Sequence, residues 1–173
     1  MRTGEPAKRI FLVQGDIYCG SEPAVVSTIL GSCVSVCLWD KGLKVGGINH
    51  YVLPGTQTES EAGNTRYGDI AIDYLYRLML DLGGRRVNLQ AKIFGGASVF
   101  PLGGGQTTVG ERNVELALQQ MHSYRIPIVE QDTGGTTGRQ ISFHTGTGYA
   151  VCRDLQAQSP AVDNMSVALR ERR

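Results

Sequence analysis

The sequence predicts an α/β (α+β) sandwich of mixed, largely antiparallel sheets with two main helices. Three observations carry this expectation: about eight short apolar or β-branched runs, only two segments with apolar residues at helical spacing, and glycine-rich turn signals between them. Helix and strand alternate too sparsely for a doubly wound sheet.

Residues 9–15 (Arg-Ile-Phe-Leu-Val-Gln-Gly) read as a first strand, and the β-branched run 24–30 (Ala-Val-Val-Ser-Thr-Ile-Leu) as a second. Residues 33–39 and 44–52 read as a hairpin that turns at Asp40-Lys41-Gly42-Leu43. The stretch 55–66 is polar and contains glycine, which makes it a loop. Over 68–82, Ala71, Leu75, Leu78, Met79 and Leu82 recur at helical spacing, with Asp69 near the start and Gly83-Gly84 beyond the end. A strand at 87–94 leads into a glycine-rich loop running to Gly110. Val114, Leu116, Ala117, Leu118 and Met121 mark a second helix over 111–124. Strands at 126–132, 140–145 and 148–152 close a single domain of residues 1–154. Residues 155–173 read as a tail, either disordered or holding a short helix at 162–170.

Composition excludes several classes of function. Lys+Arg is 17 against 16 Asp+Glu, a balance too even for a nucleic-acid binder held by phosphate neutralisation. No apolar run approaches the roughly 18 residues of a membrane helix. The start, MRTGEPAKRIFLVQGD, holds a four-residue apolar stretch, short of the ~7–15 of a signal-peptide core. A cytoplasmic location with reduced thiols is expected. The 23 glycines cluster at 95–96, 103–105 and 134–135 without a collagen-like period, so they read as turns. Gly103-Gly104-Gly105 is no phosphate loop, because no Gly-Lys-Ser/Thr follows it.

There are four cysteines, at 19, 33, 37 and 152. Cys33 and Cys37 are four residues apart in a strand, roughly 13 Å, beyond the ~7 Å limit for a disulfide. Spacings of the CxxC type are missing, so no metal is expected. The hairpin makes one cysteine distinctive. A two-residue loop at Lys41-Gly42, or a four-residue loop over 40–43, puts Cys33 directly opposite His50 on the same face, with Cβ atoms about 4.5–5.5 Å apart. A strand cysteine is ordinarily core, the reading given to Cys19, Cys37 and Cys152. An imidazole in reach adds chemistry: it can draw the thiol toward thiolate, then act as base and acid. Gly31-Ser32 before Cys33 forms a turn whose N–H groups can face an oxyanion. A third group should fix the ring, and the hydroxyls of Ser27 and Thr28 lie just upstream. His122, late in a helix, reads as solvent-facing, and His144 as part of a turn.

The segment Leu30-Gly31-Ser32-Cys33-Val34-Ser35-Val36-Cys37-Leu38-Trp39-Asp40, followed by Gly47-Ile48-Asn49-His50-Tyr51-Val52-Leu53-Pro54, resembles the CheD family of chemoreceptor glutamine deamidases. Arg66-Tyr67-Gly68-Asp69, Lys92-Ile93-Phe94-Gly95-Gly96-Ala97-Ser98, Val109-Gly110-Glu111-Arg112-Asn113-Val114 and Asp132-Thr133-Gly134-Gly135 continue the likeness in order, over roughly residues 10–153. The resemblance implies an α/β sandwich akin to the deamidating necrotizing-factor toxins. It implies hydrolysis of selected Gln side chains to Glu on methyl-accepting chemotaxis receptors, without metal or cofactor. Cys33 matches the family nucleophile, His50 its histidine, and Ser27 its hydroxyl residue, with Thr28 next door as the other candidate. A CheC-like phosphatase is an implied partner at the same surface. The rival readings are a non-enzymatic adaptor that binds receptors or that phosphatase, and a thiol redox sensor at Cys33. A thiolate–imidazole pair predicts an acid limb of the pH–rate profile near the ordinary His range.

Overall fold

The computed structural model describes residues 7–56, 58–98 and 107–155 of the chain. In order these form β1 (Lys8–Phe11), β2 (Ile17–Gly20), β3 (Ala24–Leu30), β4 (Val34–Asp40), β5 (Val45–Asn49), α1 (Gly68–Asp81), β6 (Leu89–Gly95), α2 (Val109–Tyr124), β7 (Ile128–Thr133), β8 (Arg139–His144) and β9 (Ala150–Asp154). Two sheets result, ordered β1-β3-β8-β9 and β2-β5-β4-β6-β7. The β1–β3 and β6–β7 pairs are parallel and the others antiparallel, so the mixed, largely antiparallel sandwich with two main helices is what the described residues adopt. The expected helix at 162–170 and Gly103-Gly104-Gly105 lie outside the described residues. Among the described residues no helix is long and apolar enough to cross a membrane.

The core has two layers because β4 is buried on both faces. Its Val34, Val36 and Leu38 pack with Leu75, Met79 and Met121 of the helices. The alternate residue Cys37, with Cys33 just ahead of the strand, packs with Val26, Leu30, Ile48, Phe94 and Phe143 between the sheets. A strand covered on both sides reads as a continuous apolar run, and Val34-Ser35-Val36-Cys37-Leu38 does so.

Four local features differ from the sequence expectation. The first strand stops at Phe11, because Val13–Asp16 turns back: Asp16 N donates to Val13 O at 3.0 Å, and Asp16 Oδ2 accepts from Val13 N at 2.9 Å. Gly15 supplies the positive φ (90°) this turn needs. Strand β2, a short run between two turns, was not expected at all; it exists by pairing with β5. Helix α2 starts at Val109, earlier than expected, because Thr108 and Glu111 form a reciprocal capping box. Finally, the hairpin loop is Lys41–Lys44, with Asp40 paired to Val45. The Asp40 side chain closes that turn itself, taking the N–H groups of Gly42 and Leu43 at 2.8 and 2.9 Å. Paired positions therefore shift by two residues from the expected register.

Candidate active site

The two-residue shift moves Cys33 from directly opposite His50 to a diagonal position. Val34 pairs with Tyr51 and Cys37 with Ile48. A shift of two preserves the face, since side chains alternate with period two. Cys33 and His50 both belong to the inter-sheet side, where diagonal Cα atoms are about 7–8 Å apart and long side chains still meet. Both are buried, at 7% and 4% exposure.

Cys33 follows the turn between β3 and β4, and the carbonyls around it are tied down. Gly31 O accepts from Ala97 N at 2.8 Å, and Cys33 O from Gly96 N at 2.8 Å. Gly95 has φ 107°, and a Cβ there would collide with the Cys33 carbonyl oxygen, so only glycine fits. Ser32 O accepts from Asn113 Nδ2 at 2.9 Å, and the same nitrogen donates to Val52 O at 2.8 Å. Tyr51 Oη holds Asn113 in turn by donating to its carbonyl at 2.6 Å.

His50 leaves the end of β5 with its backbone clamped to the 13–16 turn. Gly15 N donates to His50 O at 2.7 Å, and His50 N donates to Asp16 O at 3.0 Å. Its Nδ1 lies 2.8 Å from Thr28 Oγ1. Thr28 spends its single hydroxyl hydrogen on Leu12 O, at 2.9 Å. The threonine oxygen must then accept from Nδ1–H, which leaves Nε2 as the unprotonated nitrogen of the neutral ring. Nε2 is buried and has no hydrogen-bond partner among the described residues.

Ser27, expected to orient the histidine, does not reach it. Its Oγ lies 2.8 Å from Ser142 Oγ on the outer face of the β3 sheet. Strand alternation is the reason: Val26, Thr28 and Leu30 point inward, while Val25, Ser27 and Ile29 do not. The signal was present in the sequence, because Thr28 shares parity with the apolar Val26 and Leu30.

Two further side chains meet at the site, Gln14, which carried no sequence signal, and Arg66, which was noted only within the Arg66-Tyr67-Gly68-Asp69 segment. Gln14 Nε2 sits 3.9 Å from Cys33 Sγ, and Arg66 Nη2 donates to Gln14 Oε1 at 3.1 Å. Burial pushes the Cys33 thiol up from its usual range, opposed by the Arg66 charge, the residue's own N–H and the Gln14 contact. Burial pushes His50 down to about 4, with Asp16 opposing and Arg66 reinforcing the shift. Burial thus favours the uncharged form of both groups, where a thiolate–imidazole pair was expected, and among the described residues no hydrogen bond joins Cys33 Sγ to His50 Nε2.

The remaining candidates take structural places. Cys37 is enclosed in the core, and Cys19 Sγ contacts Met79 Sδ at 3.4 Å. All four cysteines are free. His122 is exposed, and the His144 backbone closes the turn to Tyr149.

Residues 52–154 match the family model described as CheD chemotactic sensory transduction. The chain belongs to the CheD family. Curated CheD relatives agree over more of its length. A probable chemoreceptor glutamine deamidase CheD of Rhodospirillum rubrum is 43% identical over 162 residues, covering 89% of this chain and 91% of its own. A protein of the same description from Trichlorobacter lovleyi is 41% identical over 148 residues, with 86% and 91% covered. Another, from Rhizobium leguminosarum, is 42% identical over 153 residues, with 87% and 82% covered. The CheD match begins just after His50, so the geometry of Cys33, Thr28 and His50 stands independently of it.

Proposed function

We propose that this chain hydrolyses the side-chain amide of glutamine residues on methyl-accepting chemotaxis receptors, with Cys33 as nucleophile, His50 as base and acid, and Thr28 as the hydroxyl that orients the ring. The observation that carries this reading is the bond from His50 Nδ1 to a threonine whose own hydrogen is already committed. It leaves a basic Nε2 on the sheet face that also bears Cys33. The names of the CheD relatives support the choice of amide and of receptor as substrate.

The reaction follows from the residues. Substrate entry brings the carboxamide carbon to Cys33 Sγ. Nε2 takes the thiol proton as sulfur adds to the carbon. The imidazolium then gives that proton to the nitrogen, the C–N bond breaks and ammonia leaves. Water, deprotonated by Nε2, attacks the thioester and releases glutamate and the free thiol. Burial disfavours charge on either group, so the proton moves as sulfur adds to the carbonyl. The Cys33 N–H, one of the groups that oppose the upward shift of its thiol, is one donor for the oxyanion.

Incubation of a receptor cytoplasmic fragment with the protein should release ammonia and raise the mass of modified peptides by about one unit per glutamine, the outcome of thiol-mediated amide hydrolysis. Cys33→Ala should abolish both. Undiminished release by that variant would overturn the role of Cys33, whereas full chemotactic function with Cys33→Ala would favour an adaptor.

A further inference from the structure

The turn Val13–Asp16 holds against the nucleophile a side chain that the reaction above leaves unused. Gln14 Nε2 lies 3.9 Å from Cys33 Sγ, and its Oε1 accepts from Arg66 at 3.1 Å. A carboxamide has a donor end and an acceptor end, while a guanidinium only donates. Arg66 therefore fixes the oxygen toward itself and turns the NH₂ toward the sulfur. The backbone beneath is equally constrained. Thr65 Oγ1 donates to Gly15 O at 2.6 Å, and both backbone bonds of His50 fall on Gly15 and Asp16. The segment that clamps the histidine thus also suspends Gln14 over the cysteine.

A contact of 3.9 Å is long for a bond to sulfur, but an oxyanion donor must be placed for an atom that appears only during reaction. When Sγ bonds to a carbonyl carbon, the C=O π pair moves to oxygen, about two bonds away from the sulfur. A nitrogen at this distance can meet that oxygen at an ordinary hydrogen-bond length.

We propose that Gln14 is a catalytic residue, its Nε2–H donating to the oxyanion formed when Cys33 Sγ adds to the substrate carbonyl, and that Arg66 is the residue that positions it. The electron pair then returns to reform C=O as the C–N bond breaks, and ammonia departs with the proton carried by His50. This deepens the proposed function and rests on it for the substrate, but the chemistry concerns any acyl group on Cys33.

Two reactions of the full chain separate oxyanion donation from a general change in the thiol. Acylation by p-nitrophenyl acetate passes through a tetrahedral oxyanion; alkylation by iodoacetamide displaces iodide at a saturated carbon and forms none. After subtraction of the Cys33→Ala background, Gln14→Ala should slow acylation relative to alkylation roughly 10–100-fold, somewhat below the loss for a fully enclosed donor because Gln14 is exposed; the ratio cancels the change in thiol ionisation that loss of the Gln14 contact causes in both reactions. Gln14→Glu keeps the size but offers only acceptor oxygens, and should lower the ratio of acylation to alkylation at least as much. Arg66→Met alters thiol ionisation and so both reactions, so its readout is their ratio. That ratio should fall as in Gln14→Ala, and the double variant should fall no further. Equal losses in both reactions, no loss, or faster acylation by Gln14→Ala would overturn the proposal. Neither probe involves a receptor, so a wild-type chain inert toward receptor fragments would count against the deamidase reading alone.

Discussion

Thr28 Oγ1 accepts from His50 Nδ1 at 2.8 Å, and this one bond sets which imidazole nitrogen is free to act as a base. The neighbouring Ser27 hydroxyl is occupied with Ser142 at 2.8 Å on the other face. Thr28→Val keeps the shape and removes the acceptor, so the ring loses both its tautomer and its orientation. A positioned base contributes about 10²–10⁴-fold. Losing its orientation should lower kcat for ammonia release roughly 10–100-fold, with Thr28→Ser restoring most of it. Ser27→Ala should change kcat less than about twofold. The reverse ranking would return the role to Ser27.

Much of this site was legible because sheet geometry is periodic. The hairpin register was misjudged by two residues, yet Cys33 and His50 still share a face, since only an odd slip exchanges faces. The same periodicity, applied to Val26, Thr28 and Leu30, selects Thr28 over Ser27. Thr108 and Glu111 likewise carry a readable capping box. Gln14 and Arg66 are different. They are 52 positions apart, and their meeting depends on how the 13–16 turn docks against the segment after the polar loop. No local pattern encodes such a contact, and a four-residue strand such as β2 has the same problem.

The pH dependence should depart from that of an ordinary histidine. Burial holds the folded His50 at about 4, so its neutral, basic form persists well below the usual range. The acid limb of kcat/KM should fall near pH 4, with a flat acid side from about pH 5 upward. A limb near pH 6.5 would contradict the buried neutral ring. Stability follows the same linkage. Above the unfolded pKa of ~6.5 both states are neutral and the group has no effect on folding. Below it the unfolded chain takes up a proton that the folded chain refuses until about pH 4, so stability is lost as pH falls through that window. The loss reaches roughly 3 kcal/mol at about pH 4. Urea midpoints at pH 7 and 4.5 should fall further for wild type than for His50→Gln.

Gly95→Ala tests the support of the nucleophile. The residue has φ 107°, and an added Cβ would strike the Cys33 carbonyl oxygen. The backbone must shift, which weakens the 2.8 Å bond from Gly96 N to Cys33 O. Strain of this kind costs on the order of 1–3 kcal/mol before the steric clash is added. A thermal or urea melt should show at least that loss, and the surviving folded protein should acylate Cys33 more slowly. A fully stable variant would mean that β6 and the turn before β4 are not as tightly coupled as their contacts indicate.

Asn113 makes a different demand, because it lies on α2, far in sequence from the strands it joins. One side-chain nitrogen serves Ser32 O and Val52 O, the segments that flank Cys33 and His50. Asn113 is fully buried, so water cannot readily replace it. Asn113→Leu keeps the approximate volume and strands both carbonyls. An unsatisfied buried polar group costs about 1–3 kcal/mol, and two in one place should cost roughly 2–5 kcal/mol in a urea titration. The effect on chemistry should exceed that on stability. With Ser32 and Val52 no longer held by a common donor, Cys33 and His50 lose their fixed separation, and kcat should drop while KM changes little. Asn113→Asp offers acceptors where a donor is needed and should behave no better. If instead the folded Asn113→Leu protein keeps wild-type kcat, α2 serves only to cover the sheet, and the spacing of thiol and imidazole is set by the strands alone.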